Sequence, residues 1–134
     1  MFPFWPSNIE QLIRRGNVPR LLSLVEKRWG KCTGAEALAG IIRINSDQAV
    51  STIVDIVTGN WPFKDSVKLG KGLTEIKQRV LSTLPSNHKA WDQLARWCTS
   101  NQSEDVALLL RSLNVEQRKY IIQRLVKEPT RSLS

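Results

Sequence analysis

Gly16-Asn17-Val18-Pro19 returns as Gly59-Asn60-Trp61-Pro62, and a degraded copy follows as Ser100-Asn101-Gln102-Ser103. The copies lie about 42 residues apart, and their flanks stay in phase. Leu12-Ile13, then Val54 to Val57, then Leu94 to Cys98 precede the phrase. Ala37-Leu38 with Ile41, Val80-Leu81 with Leu84, and Ile121-Ile122 with Leu125 follow it. A fixed period in this range is the signature of a stacked helical solenoid. Such stacks mostly offer extended surfaces for binding, which counts against an enzyme.

Local signals read as helices throughout. Ser7 caps a first short helix that Gly16 ends, and Pro19 suits the first turn of the next, where its missing N–H has no partner to lose. That helix carries Leu21, Leu22, Leu24 and Val25 inward and stops at Gly30. Thr33 caps a third helix bearing Ala37, Leu38, Ile41, Ile42 and Ile44 and running to Asn45. Ser46 caps a fourth, with Val50, Ile53, Val54 and Val57 at helical spacing, closed by Gly59. A short helix over 63–69, the joint Gly70-Lys71-Gly72, and a helix from Leu73 to Leu84 complete a second unit, which Pro85 ends. Ser86 opens a third unit, with Ala90, Trp91, Leu94, Trp97 and Cys98 on one face of its first helix. Ser103 caps the next helix, and Asn114 with Gln117 makes a capping box for the last, lined by Val115, Ile121, Ile122, Leu125 and Val126. The expected organisation is an aromatic and proline-rich cap at 1–6, one helical-repeat domain at 7–128 with units at 7–45, 46–85 and 86–128, and a flexible tail at 129–134.

Leu12-Ile13 before Gly16-Asn17-Val18-Pro19, then Leu21-Leu22 and Leu24, then Ala37-Leu38 with Ile41, resembles one armadillo repeat. The second unit repeats the corner and the Val80-Leu81, Leu84 pattern, while the third has lost its glycine and proline. The related HEAT repeats stay open as an alternative. The resemblance implies an all-α, right-handed solenoid of about three three-helix units that binds protein in a concave groove lined by the third helices. It also implies an asparagine ladder on those helices. The corresponding positions fall near Arg43, Ser86 and Lys127, and none is asparagine. Gripping a peptide backbone in that way is therefore not carried over.

The chain of 134 residues is long enough for one core, and no apolar run approaches a membrane span. Its start lacks the basic and apolar regions of a secretory signal, and Phe2 excludes myristoylation. Cys32 and Cys98 are expected as two buried free thiols, which fits an intracellular setting, cytoplasmic or nuclear. The net charge of +8 predicts attraction to something acidic. Its bland counterpart is a solvated surface that keeps the chain soluble.

Catalytic, cofactor and metal signals are lacking. His88 is the only histidine and reads as a solvated first-turn residue. No Cys/His group has metal spacing, and Gly70-Lys71-Gly72 lacks the spacing of a phosphate-binding P-loop. Basic residues gather at Arg14, Arg15 and Arg20, along Lys64 to Arg79, and from Arg111 to Arg131. Applying the repeat offset places Arg43, Arg79, Tyr120, Gln123, Arg124 and Lys127 on one basic concave face. Of the five tryptophans, Trp61, Trp91 and Trp97 read as core, and Trp29 beside Lys27, Arg28 and Lys31 as an exposed aromatic on which a base could stack. The leading reading is a non-catalytic adaptor gripping an acidic protein segment on that face. An RNA- or DNA-binding module using the same face and Trp29 is the second. A self-associating structural or viral accessory subunit, joined through Phe2, Phe4 and Trp5, is the third.

Overall fold

The computed structural model describes residues 4–44 and 46–127, with side chains from 9 to 126 apart from that of residue 45. Among the described residues there are nine helices and no strand: α1 (Phe4–Arg15), α2 (Val18–Arg28), α3 (Cys32–Arg43), α4 (Asp47–Thr58), α5 (Ser66–Leu69), α6 (Gly72–Thr83), α7 (Ala90–Ser100), α8 (Ser103–Arg111) and α9 (Val115–Lys127). The chain divides into two compact units, one through Thr83 and one from Leu84 on.

In the first unit α1, α2 and α3 pack on one another, and α4 and α6 pack on α3 and on each other. Leu21 and Val25 of α2, Ala37, Leu38 and Ile41 of α3, Ile53, Ile56 and Val57 of α4, and Ile76 and Val80 of α6 have no exposure. Each of these valine, leucine and isoleucine side chains contributes roughly 1.5–3 kcal/mol by leaving water. Two glycines let α3 approach its neighbours closely. A Cβ on Gly34 would strike the Arg28 carbonyl, and one on Gly40 would lie 2.8 Å from the Ile13 side chain. The first two corners turn on Gly16 and Gly59, both left-handed at φ 66° and 83°.

In the second unit α7 packs against α9 around Trp91, Leu94 and Ile121. The fully buried Trp91 donates its indole N–H to the Pro85 carbonyl at 2.8 Å and meets Tyr120 edge to face, with ring centroids 5.3 Å apart. The expected capping box is present: the Gln117 N–H donates to Asn114 Oδ1 and the Asn114 N–H to Gln117 Oε1, at 2.8 and 2.9 Å.

Several boundaries differ from the sequence expectation. α1 begins at Phe4, so Phe4, Trp5 and Pro6 form its first turn rather than an irregular cap, and Pro6 is tolerated there because first-turn N–H groups have no helical partner. Whether the aromatic side chains of Phe2, Phe4 and Trp5 cover the core or join a second copy lies outside the described residues, as does the tail at 129–134. The second helix of the second repeat shrinks to the single turn of α5. α7 starts at Ala90, not near Ser86, and His88 is half-buried rather than solvated: its Nδ1 accepts the Ala90 N–H at 3.0 Å. Cys98 is half-buried but Cys32 is exposed, so the two free thiols are not both buried as expected. Trp61 and Trp97 are likewise only half-buried.

Candidate functional site

The residues expected to form the basic face have unequal freedom. Arg43 ends α3 and its Nη1 donates to Glu10 Oε1 at 3.2 Å, with both side chains well exposed. Such a pair holds loosely in water. Arg79 stands exposed on α6 and makes no ion pair among the described residues. Lys77 beside it is half-buried, and burial lowers its pKa. Arg124 is committed to its own unit: Nε meets Asp92 Oδ1 at 2.5 Å, Nη1 donates to the Tyr120 carbonyl and Nη2 to the Ser86 carbonyl. Tyr120 is half-buried against Trp91, and Gln123 is exposed. Lys127 ends α9, and its side chain lies outside the described residues. Arg43 and Arg79 belong to the first unit and the other four to the second. Neither unit by itself assembles the expected face.

Trp29 is not a free stacking surface either. It is half-buried, its Nε1 donates to Glu75 Oε1 at 3.0 Å, and its ring edge lies where a Cβ on Gly72 would be 3.1 Å away. It walls a groove of about 570 Å³ at the end of α2, together with Glu26, Asp65, Glu75, Lys27 and Lys68. Glu26 accepts the Lys64 and Asp65 N–H groups there and so holds the turn before α5. Three carboxylates against two lysines make this groove a poor host for a nucleic-acid phosphate.

The outer side of α9 is a surface that sequence reasoning missed. Val115, Ile122 and Val126 are 62%, 55% and 64% exposed. Positions i, i+7 and i+11 fall on one helical face, and Lys119 at i+4 sits among them. Arg118 borders the stripe, its Nε bonded to the Leu110 carbonyl. The opposite side of α9 carries Ile121, Tyr120 and Arg124 inward. Leu108 of α8 is a further exposed apolar residue, 62% open. The signal was present in sequence as an excess: α9 has more apolar positions than one buried stripe needs.

A second feature missed from the sequence lies at the first corner. Gly16 turns the chain so that Arg15, the last residue of α1, and Arg20, in the first turn of α2, face one cavity of about 300 Å³. Asn17 fixes the turn by accepting the Arg20 N–H on Oδ1 at 3.2 Å. Ile9, Leu12 and Leu24 line its apolar part, with Gln11 and Thr33 at its edge.

Among the described residues no group of three or more His, Cys, Asp or Glu side chains could hold a metal ion, and no helix is long and apolar enough to cross a membrane. A scan against protein-family models and searches of curated proteins and of solved structures returned no match.

Proposed function

We propose that the chain is a non-catalytic adaptor, built as a short armadillo-type solenoid, that binds an acidic protein segment along the outer face of α9. The observation that carries this reading is the apolar stripe of Val115, Ile122 and Val126, with Lys119 inside it and Arg118 at its border. An apolar stripe of this kind asks for a partner that removes it from water. A partner helix with apolar residues at i, i+4 and i+7 would cover the stripe, and glutamates beside them would meet Arg118 and compete with Glu116 for Lys119, an exposed pair at 3.6 Å that holds loosely. The lysine stem adds apolar area while its ammonium stays at the rim. The solenoid part of the reading rests on the period of the sequence and on the shared bonding of the first two corners. The free thiols of Cys32 and Cys98 fit an intracellular setting.

A labelled amphipathic peptide with leucines on one face and glutamates along its edges tests the reading by fluorescence anisotropy. Binding should weaken by about tenfold or more in Ile122→Ser/Val126→Ser, since two buried aliphatic contacts are lost. Arg79→Glu should leave it unchanged. Tight binding of single-stranded RNA that collapses steeply with salt, with no binding of the peptide, would replace this reading with the nucleic-acid one.

A further inference from the structure

We propose that the cavity beneath the first corner is a separate peptide subsite, taking one apolar side chain whose neighbour carries a carboxylate. The inference rests on the adaptor reading for the nature of the partner, but it uses a different unit and different residues. Three features define the occupant.

The interior is apolar. Ile9 is buried, and Leu12 and Leu24 are half-buried against a space of about 300 Å³. A space of that size, at the small end of ligand pockets, receives a leucine or phenylalanine side chain with room to adjust.

The mouth is cationic and unneutralised. Arg15 and Arg20 are exposed, and neither pairs with a carboxylate among the described residues, although Arg43 and Arg124 do. Two planar guanidinium groups flanking one opening suit a carboxylate, which each can bind through two parallel N–H bonds. The corner itself sets their positions. The left-handed Gly16 and the Asn17 cap hold the end of α1 and the start of α2 on either side of the opening.

The edge is polar but uncharged. The Gln11 amide and the Thr33 hydroxyl have no hydrogen-bond partner among the described residues. They offer both donors and acceptors to a peptide main chain, which a simple carboxylic acid would not use. Apolar interior, cationic mouth and polar edge together select an acidic peptide segment over a phosphate chain, because a phosphate backbone has nothing to place among Ile9, Leu12 and Leu24.

The test uses the full chain and short labelled peptides, acetylated and amidated so that only side chains carry charge. One peptide holds a leucine between two glutamates, a second has glutamines for the glutamates, and a third has serine for the leucine. The first should bind, and each replacement should weaken it by about tenfold, the scale of one lost charge-assisted contact or one lost apolar contact. Arg15→Ala/Arg20→Ala should abolish the difference between the first and second peptides without lowering the melting temperature, since both side chains are exposed and unpaired. Leu24→Phe should weaken the leucine peptide by filling the space while leaving the charge intact. Ile122→Ser/Val126→Ser should leave all three affinities unchanged, which separates failure of this subsite from failure of the α9 reading. Equal binding of the glutamate and glutamine peptides, or unchanged affinity in the double arginine variant, overturns the proposal. So does displacement of the peptide by single-stranded RNA or by inorganic phosphate at comparable concentration.

Discussion

At the first corner the Gly16 N–H donates to the Ile13 carbonyl at 3.0 Å and the Asn17 N–H to the Leu12 carbonyl at 2.9 Å. At the second corner Gly59 and Asn60 repeat both bonds, to Ile56 and Asp55, at 3.3 and 2.9 Å. The exits differ. Pro19 enters α2 at once, whereas Trp61 and Pro62 stay outside any helix and only α5 follows, after Glu26 has tied down the turn. The third copy lacks the glycine, and the carbonyl there is met by a side chain: Asn101 Nδ2 donates to the Trp97 carbonyl at 2.8 Å. A glycine corner closes a helix with backbone alone. Where the glycine is gone, a side chain takes over the same carbonyl. Elsewhere in the same unit Arg124 spends two of its donors on the main-chain oxygens of Tyr120 and Ser86.

If the second unit depends on side chains in this way, removing them should cost more than altering a glycine corner. Trp91→Ala is the largest expected effect. It deletes a fully buried indole, its bond to Pro85 and its contact with Tyr120, and should lower stability by about 3–5 kcal/mol in urea denaturation. A loss under about 1 kcal/mol would mean that the unit is held by something else. Arg124→Ala comes next at about 2 kcal/mol, most of it from the carbonyls of Ser86 and Tyr120 rather than from the more exposed Asp92. For the same reason, charge reversal at Arg124 would confuse unfolding with lost binding.

Gly16→Ala and Gly59→Ala sharpen the comparison between the two glycine corners. Both positions have positive φ, and a Cβ would meet open space at each, so the cost is backbone strain alone. Each should lose about 1 kcal/mol, and the two losses should agree, because the bonding is the same up to that residue. Thermal melts of the two variants check this. A cost confined to Gly16 would show that the exit into α2, not the closure, makes the corner matter.

The helices and most of their stops were legible because capping, glycine and proline act within a few residues. Ser46, Gly59 and the Asn114–Gln117 box stand where local chemistry put them. The binding surfaces were not legible, because burial is decided by neighbours far along the chain. Helical spacing groups Val115, Ile122 and Val126 on one side of α9 and Ile121 on another, but nothing local says which side α7 covers. Trp29 and Arg124 looked free for the same reason: their partners Glu75 and Asp92 lie 46 and 32 residues away. The first-corner cavity needed the turn geometry before Arg15 and Arg20 could be seen to share it.

The smallest predicted effect concerns the residue whose carbonyl receives the asparagine N–H at the two corners: Leu12 at the first, Asp55 at the second. Partial burial raises the Asp55 pKa, against a smaller opposing effect of the Asn60 amide. Its place in the last turn of α4 adds repulsion from the helix carbonyl end. A carboxyl whose pKa is higher in the folded chain than in the unfolded one binds more protons when folded. Its contribution to stability is therefore greatest in acid, falls as pH rises through the carboxylate range, and stays reduced at neutral pH. Asp55→Asn keeps the shape and an acceptor for Asn60 and removes the charge, so it should be slightly more stable than the parent at pH 7. The advantage should vanish on acidification below the raised pKa. Melting temperatures of the two chains across that range decide the matter. A parent that is the more stable at pH 7 would mean that the contact with Asn60 outweighs burial, and that the second corner differs from the first by a favourable charge.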